Sequence, residues 1–298
     1  MKNIKINAVF FSLVGLLMLA SCSSKESDEK IFSTLDRSDT GIDFSNNLKE
    51  NDSLNYFTYN YIYLGGGVAT GDINNDGLVD IFFTGNQVSN KLYLNKGKLK
   101  FEDITKKAGV GGDSRWYTGV AMADVNGDGF LDIYCSVGGK FGPKNNELYI
   151  NNGNGTFTEK AKEYGIDDVG NSVQGTFFDY DKDGDLDLFV ANYPPTKFNS
   201  ATEDYVQMMR HVQDKESGHL YRNDGNHFAN VTQEAGVKNY GLSLSATVGD
   251  INNDSWPDIY VSNDFNSPDF MYINNQDGTF KEVVKKRQWR ITLFTEWV

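Results

Sequence analysis

Between residues 64 and 284 the chain alternates short apolar runs with polar turns. Gly67-Val-Ala-Thr-Gly71 precedes nine mostly polar residues, and Ile81-Phe-Phe83 follows them. Runs this short, rich in strand formers, predict two strands of a hairpin rather than helices. A turn at Gly85-Asn86 leads to a second hairpin, Lys91-Leu-Tyr-Leu-Asn95 and Leu99-Lys-Phe-Glu-Asp-Ile104, joined through a Lys-Gly turn. Four successive strands are the content of one propeller blade. The pattern recurs: Leu92-Tyr-Leu-Asn95 matches Leu148-Tyr-Ile-Asn151, Leu220-Tyr-Arg-Asn223 and Met271-Tyr-Ile-Asn274. Phe101, Phe157, Phe228 and Phe280 follow these motifs, and Gly109, Gly165 and Gly236 close three of the units. Aromatic rings at fixed blade positions are expected to pack between adjacent sheets, although rings can also stack on a ligand.

The polar turns carry the chemistry. They read Asp72-Ile-Asn-Asn-Asp-Gly-Leu-Val-Asp80, Asp124-Val-Asn-Gly-Asp-Gly-Phe-Leu-Asp132, Asp179-Tyr-Asp-Lys-Asp-Gly-Asp-Leu-Asp187 and Asp250-Ile-Asn-Asn-Asp-Ser-Trp-Pro-Asp258. Side-chain oxygens recur at the first, third, fifth and ninth positions, the kind of hard donor set that Ca²⁺ takes. An EF-hand needs a bidentate Glu at the twelfth position and flanking helices. Here the twelfth residues are Phe83, Cys135, Val190 and Val261, and strands flank the loop, which also excludes a dockerin-like loop. Thrombospondin-type repeats would need disulfides. Asp and Asn favour tight turns without any metal, so residue types alone leave a metal-free Asx-turn network open.

A formal charge of −13 and the lack of a basic stripe argue against nucleic acid as a partner. Much of that acidity sits in the loops, where metal-free carboxylates would repel one another. Aromatics at 13% allow a substantial core. The first residues form a different class of segment. Lys2 and Lys5 precede an apolar run, residues 8–20, too short to span a bilayer. It ends in Leu19-Ala-Ser-Cys22, which resembles a bacterial lipobox. Residues 1–21 are therefore expected to be a lipoprotein signal peptide, with Cys22 acylated and residues 22–31 a polar tether. The acidic stretch after Cys22 partly resembles the surface-export signal of Bacteroidetes-type lipoproteins. The expected location is the bacterial cell envelope, anchored in the outer membrane and facing the periplasm or the surface. Cys135 then has no partner, and its apolar neighbours predict a buried free thiol.

The loops start at residues 72, 124, 179 and 250, so the last interval is the longest. It holds an insertion at residues 194–217, where residues 201–212 have helical spacing. Two uses stay open for it: a binding element emerging from one face, or a helix packed on the rim. Residues 32–42 are expected to supply a stray strand completing the last blade. Residues 285–298 fit no repeat.

The loops together with the Leu-Tyr-x-Asn and Phe hairpins resemble the FG-GAP/VCBS repeat family of integrin-type β-propellers. The likeness is strongest to bacterial VCBS repeat lipoproteins that often carry an ASPIC/UnbV-type domain, and it covers about residues 32–284. It implies an all-β propeller of four-stranded blades, with repeats near 64–110, 117–166, 172–237 and 243–284. About four blades are present where seven are expected, so the resemblance implies an N-terminal fragment of a longer protein. It also implies up to four Ca²⁺ sites. Their ligands would be Asp72, Asn74, Asp76, the Leu78 carbonyl and Asp80; Asp124, Asn126, Asp128, the Phe130 carbonyl and Asp132; Asp179, Asp181, Asp183, the Asp185 carbonyl and Asp187; and Asp250, Asn252, Asp254, the Trp256 carbonyl and Asp258. The fourth loop departs from the pattern, with Ser255 where the others place Gly and with Pro257 beside it. A sharp turn suits Gly best, so the fourth site is expected to be weakest. The third has the most carboxylates and is expected to bind tightest.

No enzyme signature stands out. The three histidines, His211, His219 and His227, lie in or after the insertion without a nucleophile or zinc spacing. Gly65-Gly-Gly67 lacks the Lys of a phosphate loop. Acidic pairs such as Asp181 and Asp183 resemble a glycosidase dyad, but a pair repeated in every unit belongs to the scaffold. The expected function is a calcium-stabilised, membrane-anchored binding or adhesion module for a protein or glycan. The alternative is an envelope glycan-processing enzyme or uptake accessory, with its active site in the insertion or in a missing C-terminal region.

Overall fold

The structure, a computed structural model, describes residues 32–194, 207, 211, 213–264 and 267–284. The signal segment with Cys22, the tether, residues 285–298 and most of the 194–217 insertion lie outside the described residues. Among the described residues no helix is long and apolar enough to cross a membrane.

From residue 37 onward the chain builds four four-stranded antiparallel sheets, each a simple meander. Blade 1 holds β1 (Val68–Gly71), β2 (Asp80–Phe83), β3 (Lys91–Asn95) and β4 (Phe101–Asp103). Blade 2 holds β5 (Trp116–Ala123), β6 (Asp132–Gly138), β7 (Glu147–Asn151) and β8 (Phe157–Glu159). Blade 3 holds β9 (Ser172–Phe178), β10 (Asp187–Asn192), β11 (His219–Asn223) and β12 (Phe228–Asn230). Blade 4 holds β13 (Ser243–Gly249), β14 (Asp258–Asn263), β15 (Phe270–Asn274) and β16 (Phe280–Glu282). The first strands β1, β5, β9 and β13 lie side by side in that order, which makes an incomplete β-propeller.

The core consists of three layers between the sheets. Phe82, Leu92, Ile133 and Tyr149 fill the layer between blades 1 and 2. Tyr134, Leu148, Leu188 and Tyr221 fill the next, and Phe189, Leu220, Ile259 and Tyr272 the last. The Leu-Tyr pair of each third strand explains this arrangement. Adjacent strand residues point to opposite faces, so Leu148 and Leu220 face the following blade while Tyr149 and Tyr221 face the preceding one. Met271 takes the Leu position in blade 4 and is only partly covered. Cys135 is fully buried in the first layer, and burial pushes its thiol pKa well up.

The expected stray strand is not formed. Residues 32–36 carry no strand, and α1 (Arg37–Thr40) is a helical turn. Gly41 ends it with φ of 81° and an N–H donated to the Arg37 carbonyl at 2.8 Å. That left-handed conformation terminates a helix and cannot continue a strand. The same device closes α2 (Thr105–Ala108) at Gly109 and α3 (Ala161–Tyr164) at Gly165. Next to it, Phe44 stacks on Phe83 at 4.9 Å and Asp43 accepts the Tyr93 hydroxyl at 2.7 Å. Residues 37–44 thus cover the face of blade 1 that no described sheet covers.

Residues 45–64 then run as a strap over the strand ends opposite the acidic loops. Asn46 exchanges two hydrogen bonds with Asn86, and Lys140 reaches the Ser53 carbonyl. Tyr59 packs edge-on against Trp116, and the Tyr61 hydroxyl donates to Asp264 at 2.7 Å. The strap therefore touches all four blades, since the Tyr61 ring also packs, tilted, against Tyr193 of blade 3.

Candidate metal centres

Each acidic loop joins the first and second strands of its blade. Its ninth residue opens the second strand, paired with the last residue of the first: Gly71 with Asp80, Ala123 with Asp132, Phe178 with Asp187, Gly249 with Asp258. Between them the backbone turns through two left-handed residues. The fourth positions, Asn75, Gly127, Lys182 and Asn253, have φ of 58°, 70°, 62° and 60°. The sixth, Gly77, Gly129, Gly184 and Ser255, have φ of 84°, 90°, 100° and 70°. Ser255 is the one side chain beyond glycine in that sixth-position set, and a non-glycine residue there costs about 1–3 kcal/mol.

Side-chain oxygens gather the loop amides inward. Asp72, Asp124, Asp179 and Asp250 accept the N–H of the sixth residue at 2.7, 2.8, 3.2 and 2.8 Å. Asp76, Asp128, Asp183 and Asp254 accept the N–H of the seventh residue, Leu78, Phe130, Asp185 or Trp256, at 2.8–2.9 Å. Asn74, Asn126 and Asn252 accept the N–H of the fifth residue and donate to its carboxylate. All the residues singled out from the sequence therefore line one small turn in each blade.

The ninth aspartates do more than the sequence indicated. Asp80, Asp132, Asp187 and Asp258 are all 0% exposed. In each, Oδ2 accepts the N–H of the second loop residue: Ile73, Val125, Tyr180 or Ile251. Oδ1 accepts the N–H of the motif asparagine at 2.7–2.9 Å: Asn95, Asn151, Asn223 or Asn274. That asparagine then reaches into the preceding blade. Nδ2 donates to the Ile73 carbonyl from Asn151, to Val125 from Asn223 and to Tyr180 from Asn274. The Asn was visible as the end of a recurring motif, but a motif position does not state which carbonyl it will meet.

The third loop differs from the other three. Asp181 stands where they place Asn, so it cannot donate to the fifth carboxylate. Asp179 Oδ1 and Asp181 Oδ1 are enclosed without a hydrogen-bond partner. Oxygens of Asp179, Asp181 and Asp187 lie within 4.8 Å of one another. Burial first, then the neighbouring Asp183, raises the Asp181 pKa. Burial also pushes Asp187 up to about 7 and Asp132 up to about 6, against backbone N–H groups that pull the other way. Converging, enclosed carboxylate oxygens that lack donors fit a hard divalent cation. Asp179, Asp181 and Asp187 are the residues whose oxygens converge to hold one, while Asp183 stands exposed beside them.

His219 sits apart from the loops, between blades 2 and 3. Nδ1 meets Asp168 at 2.5 Å and Nε2 meets the Asp214 carbonyl at 2.9 Å, while the Tyr221 hydroxyl also donates to Asp168. Both ring nitrogens are occupied by this packing.

Fold and loops define an incomplete β-propeller with an Asp-rich turn at the head of each blade. The FG-GAP-like repeat family matches residues 72–135, 137–190 and 211–261, and the chain belongs to that family. The first match takes in loops 1 and 2, the second loop 3 and the third loop 4. The chain is also similar to cartilage acidic protein 1. To the protein of Mus musculus it is 30% identical over 146 residues, 48% of this chain and 20% of that protein. To that of Homo sapiens it is 31% identical over 122 residues, 40% of this chain and 16% of that protein. The matches thus span about a fifth of those relatives or less.

Two outcomes follow from this geometry. Asn223→Ala should lower stability by about 1–3 kcal/mol in urea unfolding, because it leaves the Val125 carbonyl without its donor. An unchanged midpoint would show that the bond between blades contributes nothing. In metal-free protein the raised pKa of Asp187 means the folded state favours the protonated carboxyl. Its stability contribution is present below the ordinary value of 3.8 and is lost as pH rises through about 7. The raised pKa of His219 acts in the same direction. Chelated protein should therefore have a lower urea midpoint at pH 8 than at pH 5, and a rise over that interval would refute this.

Proposed function

We propose that the chain is a calcium-stabilised extracytoplasmic β-propeller that works as a binding module for a protein or glycan. Membership of the FG-GAP-like repeat family supports the propeller scaffold. The observation that carries the calcium reading is the pair of donor-free oxygens on Asp179 and Asp181, converging with Asp187 in loop 3. A cation there would accept lone pairs that the protein itself leaves unsatisfied. It would also offset the repulsion among the loop carboxylates, and the backbone bonds of Asp187 would carry that ordering into β11. Loops 1, 2 and 4 repeat the same skeleton with Asn at the third position, so they are weaker sites of the same type. Loop 4, with Ser255 in a left-handed turn, is the weakest. The calcium is structural in this reading, and no reaction is assigned to it.

The lipobox-like Leu19-Ala-Ser-Cys22 supports a lipid anchor on Cys22 and a place in the outer membrane of a bacterial envelope. Here the chain is of the VCBS lipoprotein type.

Thermal unfolding of the mature chain in excess Ca²⁺ and in chelator tests the first part. A hundredfold excess over Kd adds about 2.7 kcal/mol per site, on the order of 5–10 °C for a chain of this size. Asp181→Asn should lower the shift attributable to loop 3 towards that of the Asn-bearing loops, and equal melting temperatures in both buffers would sink the calcium reading. For the anchor, Cys22→Ser should move the protein from the membrane fraction to the soluble fraction of an expressing bacterium. Unchanged fractionation would refute lipidation at that residue.

A further inference from the structure

The face opposite the acidic loops contains a cavity of about 360 Å³ between the strap and the ends of blades 2 and 3. Tyr59, Tyr61 and Leu64 of the strap form one side, and Val173 and Tyr193 of blade 3 form the other. The tyrosine rings are held rigidly. Tyr193 donates its hydroxyl to that of Tyr61, which donates to Asp264, and the two rings lie 4.2 Å apart. Their polar tips are therefore engaged with protein, and the walls they offer are largely ring carbon.

One polar group at the cavity remains incompletely matched. Lys144 donates to the carbonyls of Gly138 and Gly139 and pairs with no carboxylate among the described residues. An ammonium has three N–H donors, so one is left over. Asn171 also lines the cavity, with its side chain only part-buried. Burial draws the Lys144 pKa down to about 8, which leaves the group a cation at neutral pH. A small volume with apolar walls and a few convergent polar groups is what a small-molecule site consists of. The unmatched cation asks for an anion, the Asn171 side chain can bond a hydroxyl, and the ring faces suit the C–H face of a saturated ring. The volume lies at the low end for ligand pockets, so one sugar unit suits it better than an oligosaccharide.

We propose that this cavity binds a monosaccharide-sized sugar acid, with its carboxylate on Lys144 Nζ and a ring hydroxyl at the Asn171 side chain. The inference rests on the binding-module reading and gives it a ligand class. It also assigns the strap a use: residues 58–64 close the cavity from above, so ligand binding and docking of the strap are linked. Lys144 would then have a role beyond capping the two carbonyls at the end of β6.

The test is calorimetric titration of the calcium-loaded mature chain with glucuronate and galacturonate, and with glucose and galactose as neutral counterparts. The expected result is saturable binding of at least one uronate, with its neutral counterpart at least tenfold weaker. Lys144→Met should weaken the uronate at least tenfold, since a charge-assisted hydrogen bond is lost. If that variant does not melt cooperatively, Asn171→Ala reads the same site and should weaken the uronate severalfold. The proposal is overturned if neither uronate binds, if neutral sugars bind equally well, or if both variants bind as the parent does. The melting temperature in Ca²⁺ and in chelator, recorded on the same samples, separates this failure from failure of the calcium reading. A protein that responds to Ca²⁺ but binds no uronate loses only the cavity assignment.

Discussion

Each blade is organised around one buried carboxylate. The ninth loop aspartate holds two backbone N–H groups from separate elements, so its burial ties the metal loop to the third strand of the same sheet. Burying a carboxylate is unfavourable unless its oxygens are matched, and here the backbone supplies part of the match. The asparagine whose N–H meets that carboxylate also spans to the neighbouring sheet through its amide. Loop, sheet and neighbouring blade are thereby joined through two side chains. A cation bound to the same aspartate would act on all three.

This linkage explains why the acidic loops belong to the scaffold. In a repeat protein each unit buries its faces against its neighbours, and stability is shared across interfaces. The Leu-Tyr pair packs one side chain into each interface, and the aspartate-asparagine pair orients the strand that carries them. Hydrogen bonds between first strands add to this near the axis. The Gln174 amide exchanges bonds with the Ala246 backbone, and the Thr118 hydroxyl reaches the Ser172 carbonyl. The apolar layers supply the stabilisation, and the polar links set the register in which they meet.

The two ends of the blades are built for different purposes. The loop end carries carboxylates arranged around left-handed turns. The strap end carries tyrosines, a tryptophan and lysines from the strap and from blades 2 and 3. A segment that crosses four sheets costs conformational entropy to order, and here it is offset by burial of the strap's own Leu54 and Ile62 with Trp116. The strap also leaves Tyr56, Phe57 and Tyr63 largely exposed on its outer surface.

Blade content, loop register and the pairing of aromatic positions were legible from the chain alone, because a strand period of two and a nine-residue acidic loop are local patterns that recur in fixed order. The left-handed turns at Gly77, Gly129 and Gly184 were legible for the same reason. Two other features were not. Residues 32–42 carry a Phe and a Gly-Ile ending like those of the repeats, yet a helical turn forms, because Gly41 takes a left-handed conformation as Gly109 and Gly165 do. The strap residues 45–64 have no repeat pattern at all, and their course depends on partners as distant in sequence as Asp264. Asn151, Asn223 and Asn274 fall between these cases: their spacing was visible, but the carbonyl each one meets lies in another blade. Local geometry follows from neighbours along the chain, whereas contacts between blades exist only after the sheets have packed. For that reason the chain alone identified the donor groups of the four loops, and only their folded arrangement left Asp179, Asp181 and Lys144 with unmatched hydrogen-bonding capacity.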